Sequence, residues 1–420
     1  MHFGGDRDLY ETMGYPRVLT VEKMTDAYKR QDIAGRIVDA FPDATWREPP
    51  LIKGEDAFVS AWEKLDKDRQ VLAAFHRLDR LVGLGHYGVL FLGLSGGEDP
   101  SQPVGQGDRD LLFVQPHGER TAQVAEWEDD ITSPRYGLPK KYNITTGVNW
   151  IGSGSGRTML SVHHSRVIHV AERSLEHASI GIPRLERVFN RLMDLDKMVG
   201  GNAEVWWQNS AMLLAFLADA DVDFDPDEAS TMADQLEELQ HGLRRMLRLR
   251  GVTPQQLAPG MQGSDSSAAV DKLLDLIAGA VGMPKRILIG SERGELSSAQ
   301  DENNWAARIK ERREQFTTPC IIEPFFNKGQ AIGFLPRGSF EVDWPAVDTL
   351  GDEGRARVAD IQASAIQKYV NSPGAEYIIG PAKFATDVMG FDEPEPIELE
   401  EPLPEDVEGD AFDAEEDDGV

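Results

Sequence analysis

Residues Val281–Trp305 read VGMPKRILIGSERGELSSAQDENNW, and the fold turns on how this stretch is parsed. Ahead of it, Val270, Leu273, Leu274, Ile277, Ala278 and Val281 recur at helical spacing. Gly282 and Pro284 close that helix, because glycine accepts the left-handed backbone of a helix end and proline cannot continue the ladder. A polar Gly/Ser-rich connector follows, carrying Lys285, Arg286 and Arg293. Ser298 with Asp301 then resembles a capping box with a shorter acid, so a new helix begins there. Trp305, Ile309 and Phe316 line one of its faces, and Pro319 should kink or stop it.

Working upstream, Pro183 suits a first helical turn. Leu185, Val188, Phe189, Leu192, Leu195 and Met198 continue the helix up to Gly200–Gly201. Met232, Leu236, Leu239, Leu243 and Met246 form another stripe, ending at Gly251. The first 180 residues differ. Helical patterns over Thr25–Phe41 and 58–82 precede Tyr87–Gly93 (YGVLFLG), Asp110–Gln115 (DLLFVQ) and Leu160–Val170 (LSVHHSRVIHV), which read as strands. Downstream, 331–345 returns to strand and turn, and Gly354–Tyr369 is helical. The fold class expected is therefore α+β.

Charge limits what the chain can do. It has 420 residues and a formal charge of −29. From Asp392 to the end there are 15 acidic residues and no Lys or Arg, which leaves −14 on residues 1–391. Such a balance argues against gripping nucleic acid by neutralising phosphates, and suits a surface past which DNA must slide. Acids interleaved with Pro394, Pro396, Pro402 and Pro404 predict a disordered tail over 392–420. The polar opening MHFGGDRDLY has no apolar run of signal-peptide type, and no stretch is long enough to span a bilayer. One cysteine, Cys320, excludes an internal disulfide framework and fits a reducing cytosol. A soluble, intracellular protein is expected.

Catalytic motifs are wanting. Gly152, Gly154 and Gly156 (IGSGSGR) lack the Lys-Ser/Thr of a phosphate loop, and a turn is the simpler reading. His163, His164 and His169 share one expected strand, with His163 and His169 on one face. Zinc would need further ligands, and neither HExxH nor paired cysteines are present. No catalytic residue, metal or cofactor is assigned. The densest basic patch, Arg244, Arg245, Arg248 and Arg250, is a solvated helix face or a contact for an acidic partner.

Taken together, VGMPKRILIG…SSAQDENNW, the strand VHHSRVIHV with Gly181-Ile-Pro after it, and the opening DRDLYETMGYPRVLT with YKRQDIAGRIVD resemble tailed-bacteriophage portal proteins. The similarity spans residue 1 to about 390. The resemblance implies a dodecameric ring with wing, stem, clip and crown around a DNA channel. By it, residues 1–180 with 331–345 are wing, 183–199 and 266–283 stem helices, and 200–262 clip. Residues 285–297 are then the tunnel loop, 298–328 the long helix behind it, and 352–390 a helical crown. It further implies Lys285, Arg286, Arg293, Glu295 and Ser297 on the tunnel loop, and partner docking at Arg244, Arg245 and Arg248. The implied partners are other copies of the chain, the major capsid protein, the terminase large subunit, a head–tail adaptor, and duplex DNA read without sequence preference. The implied place is the virion, with the host cytoplasm during assembly. Part of that family carries a name borrowed from a phage anti-defence nuclease. The alternative is a phosphodiesterase or nuclease acting on oligonucleotides, cyclic ones included, through His163, His164 or His169 as acid–base groups; a head–tail adaptor is a second, weakened by the length of the chain.

Overall fold

In the computed structural model, the residues described are 7–389, apart from 106, 147–157, 211–213, 219–224, 226, 228–229, 232, 236, 238–251, 257–265, 291–296 and 348–351. The chain forms two compact units, residues 1–349 and 350–420.

The run GVLFLGL is strand β2 (Gly88–Leu94), buried along its whole length. Its continuous apolarity has a simple cause: both faces are covered. Leu90 and Leu92 pack with helices α4 (Asp56–Arg69) and α5 (Val71–Leu84), through Phe58, Trp62, Phe75 and Leu78. Val89 and Phe91 face the opposite way, against Ala122, Tyr142, Ile144 and Val162. Two antiparallel three-stranded sheets produce this. One is ordered β3 (Leu111–Gly118), β2, β7 (Val167–Val170); the other β4 (Ala122–Trp127), β5 (Pro139–Thr146), β6 (Thr158–His163).

The expected single strand Leu160–Val170 is thus divided. A 3-10 turn at His164–Arg166 ends β6 and starts β7, so His163 and His169 belong to different sheets rather than one face of one strand. The break is local: the His163 side chain accepts from the Ser165 N–H at 3.3 Å, and a side-chain cap of this kind competes with the ladder.

A second core joins α2 (Val21–Arg30) and α3 (Asp32–Thr45) to α6 (Phe189–Ser210) and to helices Ser267–Val281 and Ser297–Arg312. Helix α6 departs from expectation at both ends. Pro183 and the residues to Val188 form turns, though Leu185 and Val188 are buried as the stripe requires, and the helix runs through Gly200–Gly201 to Ser210. Glycine costs a helix about 1 kcal/mol, which neighbouring turns can absorb. Nor does Pro319 stop the long helix. Residues 313–322 widen into a π-helix that contains it, and Glu323–Ile332 continues as α-helix. A residue without an N–H is tolerated where the ladder is already irregular. Phe325 and Phe326 then sit in the first core. Strand β1 (Leu51–Gly54) pairs with β10 (Phe340–Asp343), tying the chain before α4 to the chain after the long helix. A further pair, β8 (Leu214–Ala218) and β9 (Val252–Gln256), closes the region expected as clip.

At Gly181 close approach of the backbone requires glycine. Gly181 donates to the His86 carbonyl at 2.7 Å, and a Cβ there would fall 2.1 Å from the Glu172 carbonyl oxygen, a backbone atom that cannot step aside. Gly181→Ala should cost about 1–3 kcal/mol, the usual range for overpacking. Urea unfolding of the purified variant measures it; a wild-type midpoint would show that the 172–181 loop has more slack than its contacts suggest.

Candidate functional site

The stretch that decides the fold holds the candidate site. Helix Ser267–Val281 ends at Gly282, whose φ of 77° is the left-handed cap glycine supplies, and the Gly282 and Met283 N–H groups both return to the Ala278 carbonyl. Pro284 then sets the backbone for a short helix, Lys285–Ile289, which ends at a second left-handed glycine, Gly290. The connector expected as a loop from Lys285 onward therefore starts as helix. Met283 and Leu288 are its anchors: both are buried with Ile277, Val281, Trp305 and Ile309. From α3, Arg36 donates through Nε and Nη2 to the Ile287 carbonyl, at 3.1 and 3.0 Å.

The charged groups fall into three sets. Lys285 turns back onto helix Ser267–Val281, where its Nζ meets the Asp271 carboxylate and, at 2.9 Å, that of Asp275. Those carboxylates hold its pKa above the usual lysine value. Arg286 is half-buried on the short helix. Arg293 and Glu295 lie outside the described residues, as do Arg244, Arg245 and Arg248, the glycines at 152, 154 and 156, and the acidic tail. Ser297 is the first residue of helix Ser297–Arg312, one position before the expected cap.

The histidines are not brought together as a phosphodiester site would need. His169 Nε2 donates to the Ser179 carbonyl at 2.7 Å, and Nδ1 takes the Tyr142 hydroxyl at 3.1 Å. Its ring stacks on Tyr87, with centroids 4.7 Å apart. Burial pushes its pKa down to about 4, so it is a neutral, fully bonded part of the sheet packing. His163 and His164 do touch, with ring centroids 4.2 Å apart. Burial, with Arg135 close by, lowers both, His164 to about 3. General acid–base work at neutral pH calls for a pKa near 7. Among the described residues no three His, Cys, Asp or Glu side chains could share a metal ion, and no helix is long and apolar enough to cross a membrane.

The sequence reading missed a buried charge cluster. Asp79 of α5 receives the guanidiniums of Arg184 and Arg312, and Glu172 bridges the same two arginines. Trp46 Nε1 donates to Asp79 at 2.9 Å, and Arg312 also donates to Thr45 Oγ1 at 2.9 Å. Burial alone would raise Glu172, but Arg184 and Arg312 beside it hold it down to about 2. A signal was present: Arg312 falls three residues after Ile309 on the apolar face of the long helix. The cluster joins α3, α5, the loop after β7 and the long helix where its ladder changes from α to π.

The family model for the phage portal protein matches residues 22–368. No curated protein matches the chain. Among solved structures, the chain is similar to one in the neck of a native gene transfer agent particle computed with C12 symmetry. That likeness has 13% identity and a TM-score of 0.54, and covers 89% of this chain and 94% of the other. A chain of the native gene transfer agent virion gives 15% identity and a TM-score of 0.52, covering 93% and 97%. The neck of the empty particle, computed with C6 symmetry, gives 14% and 0.54, covering 90% and 95%. At such identities the likeness is one of fold. A family match over most of the chain, on a mixed helix-and-sheet fold shared with particle-neck proteins, supports the resemblance carried by the 281–305 stretch and leaves the phosphodiesterase reading without support. The chain belongs to the phage portal protein family, and its function is that of a portal subunit.

Proposed function

We propose that twelve copies of the chain close into a ring at one capsid vertex, and that the ring carries double-stranded DNA in during packaging and out during ejection. The family match over residues 22–368 carries this reading, and the fold likeness to a neck computed with C12 symmetry supports the copy number. Residues 1–180 with 331–345 serve as wing, 183–199 and 266–283 as stem, 200–262 as clip, 285–297 as tunnel loop, 298–328 as the long helix and 352–390 as crown. The ring works as a conduit, not a catalyst. Its partners are the major capsid protein, the terminase large subunit and a head–tail adaptor, met first in the host cytoplasm and kept in the virion, with Arg244, Arg245 and Arg248 facing a docking partner. The net charge of −29 suits a conduit, because each neutralised phosphate adds a salt-sensitive hold that translocation must break. Weak, sparse phosphate contacts fall to Lys285, Arg286 and Arg293, with Glu295 and Ser297 on the same segment. Lys285 contributes least, since Asp271 and Asp275 already offset its charge.

Electron microscopy of the purified chain, alone and co-expressed with capsid and scaffold proteins, tests the reading. Rings with a central hole wide enough for duplex DNA are expected. A compact monomer under both conditions would overturn the proposal.

A further inference from the structure

A groove of about 580 Å³ in the first unit is apolar at its floor and basic at its rim. It lies between α6 and helix Ser267–Val281, and Met13 and Tyr15 from the start of the chain form part of its wall. Met198, Leu273 and Leu276 line it from the two helices. Beneath, Leu192 and Leu195 of α6 and Ile277 of the other helix are buried in the second core. Leu276, one position before Ile277, falls off that buried stripe and is 51% exposed; Met13 is 42% exposed. Neighbouring apolar side chains outside the core stripe mark a surface that another element can cover.

The wall supplied by the start of the chain is fastened down. The short helix Leu9–Met13 ends at Gly14, whose φ of 67° is left-handed. Lys197 Nζ donates to the Met13 carbonyl, and the Tyr15 hydroxyl donates to the Asp194 carboxylate. The same ammonium stands over the Tyr15 ring, 4.9 Å from its centre. A groove already formed in the free chain lowers the ordering cost of binding.

Charge narrows what can fill it. Over the whole chain acids outnumber bases by 72 to 43. Among the described residues lining the groove, Arg191, Lys197 and Lys272 stand against Asp194 alone. Both Asp194 oxygens are taken, one by Tyr15 and the other by Arg191 at 3.0 Å. Lys197 meets a carbonyl and a ring rather than a carboxylate. Lys272 reaches Asp275 at 3.9 Å, a carboxylate that Lys285 already holds at 2.9 Å. A basic rim on an acidic chain selects an acidic partner. Arg191 to Met198 and Ala269 to Leu276 each span roughly 10 Å of helix axis. About two turns of one helix fit along that length, with apolar anchors three, four or seven residues apart.

We infer that this groove docks an acidic amphipathic helix of a partner protein, with its apolar side chains on Met13, Met198, Leu273 and Leu276 and its carboxylates on Arg191, Lys197 and Lys272. A single chain carries the whole groove, so nothing here depends on the ring reading above. Fluorescence anisotropy tests it with two labelled, end-blocked peptides of leucine, alanine and glutamate, each about four turns long. In one the leucines share a helix face; in the other the same residues are scrambled. The full-length chain should bind the amphipathic peptide at least about 10-fold more tightly than the scrambled one, and more weakly as salt rises. Leu276→Asn and Lys272→Glu, both at exposed positions, should each weaken binding about 10-fold with unchanged urea midpoints. Ile131→Asp, at a 79% exposed position off the groove, should leave binding as it was. Equal binding of the scrambled peptide, wild-type binding by Leu276→Asn, or no binding at about 1 mM peptide would each overturn the inference. Rings of the wild-type chain distinguish the remaining occupant. Peptide bound by rings supports a partner helix; peptide bound by the lone chain and refused by rings would give the groove to a second copy and overturn it. If no ring forms, the portal reading fails, and binding to the lone chain still decides this inference.

Discussion

Replacing Arg312 by Met should destabilise the protein by about 3–5 kcal/mol, the usual result of removing one partner from a buried ion pair. The guanidinium donates to Asp79, to Glu172 and to Thr45, and it is 8% exposed. Its loss leaves Asp79, which is fully buried, with Arg184 and Trp46 alone. Two carboxylates would then share one buried cation. The methionine stem can fill the same space, so the loss reads out charge rather than a cavity. Neutralising the surplus is therefore the decisive control. In the Arg312→Met, Glu172→Gln double variant the cost should be less than the sum of the two single costs, by about 0.5–3 kcal/mol. Urea unfolding monitored by tryptophan fluorescence gives all four corners of the cycle. Additive costs, or a single-variant loss below about 1 kcal/mol, would show that the four charges do not act as one group. Arg312→Lys tests geometry in the same assay: one ammonium cannot reproduce a planar fork serving three acceptors, so a loss of about 2 kcal/mol is expected despite the retained charge.

The position of this cluster explains why the sequence conveyed the outline of the fold and not its joints. Strand β2 was legible because burial on both faces leaves an uninterrupted apolar run, and helix Ser267–Val281 because its stripe ends at Gly282 and Pro284. Strands β4 and β5 were not read. Only Ala122, Pro139, Tyr142 and Ile144 of AQVAEW and PKKYNITT are buried, and the two lysines between Pro139 and Tyr142 mask the two-residue period. The division of Leu160–Val170 follows from a side-chain cap at His163, which no periodicity records. Passage of the long helix through Pro319 depends on tertiary contacts made by the π-helical segment, among them Arg313 to the Thr45 and Pro345 carbonyls and Trp344 to Thr318. Of the candidate site, the two glycine caps were readable from local chemistry. The turn of Lys285 onto Asp271 and Asp275 was not, because a pair spanning 14 or 10 residues across a helix end has no fixed spacing.

The chain should also gain stability as pH rises from 7 to 9, by about 2 kcal/mol, and Lys328 should be the reason. The carbonyls of His164 and Val167 flank the turn that separates β6 from β7, and Lys328 Nζ donates to them at 2.9 and 2.6 Å. Burial, with Arg135 nearby, pushes this amine down from the ordinary lysine range to about 7. A neutral amine keeps two N–H groups, enough for both carbonyls, so the folded chain gives up the proton without giving up either bond. Between about pH 7 and 9 the unfolded chain still binds that proton and the folded chain does not, hence stability rises with pH. Below 7 both states are protonated and the cost of burying the charge is present in full. Above about 9 the trend should reverse, since burial raises the Cys320 thiol, and Tyr87 to about 12, so the folded chain then holds the extra protons. On the acid side, His169 at about 4 and His164 at about 3 stay neutral when folded while the unfolded chain protonates below about 6.5, so stability should also fall as pH drops from 6.5. Lys328→Met separates the two arms. It strands two carbonyls, at about 1–3 kcal/mol for each buried acceptor left unpaired, and it should flatten the slope between pH 7 and 9 while leaving the slope below 6.5 intact. Urea unfolding at half-unit intervals from pH 4 to 9 resolves both. A variant that keeps the wild-type rise from 7 to 9 would assign that arm to another group and return Lys328 to an ordinary charged amine bridging two sheets.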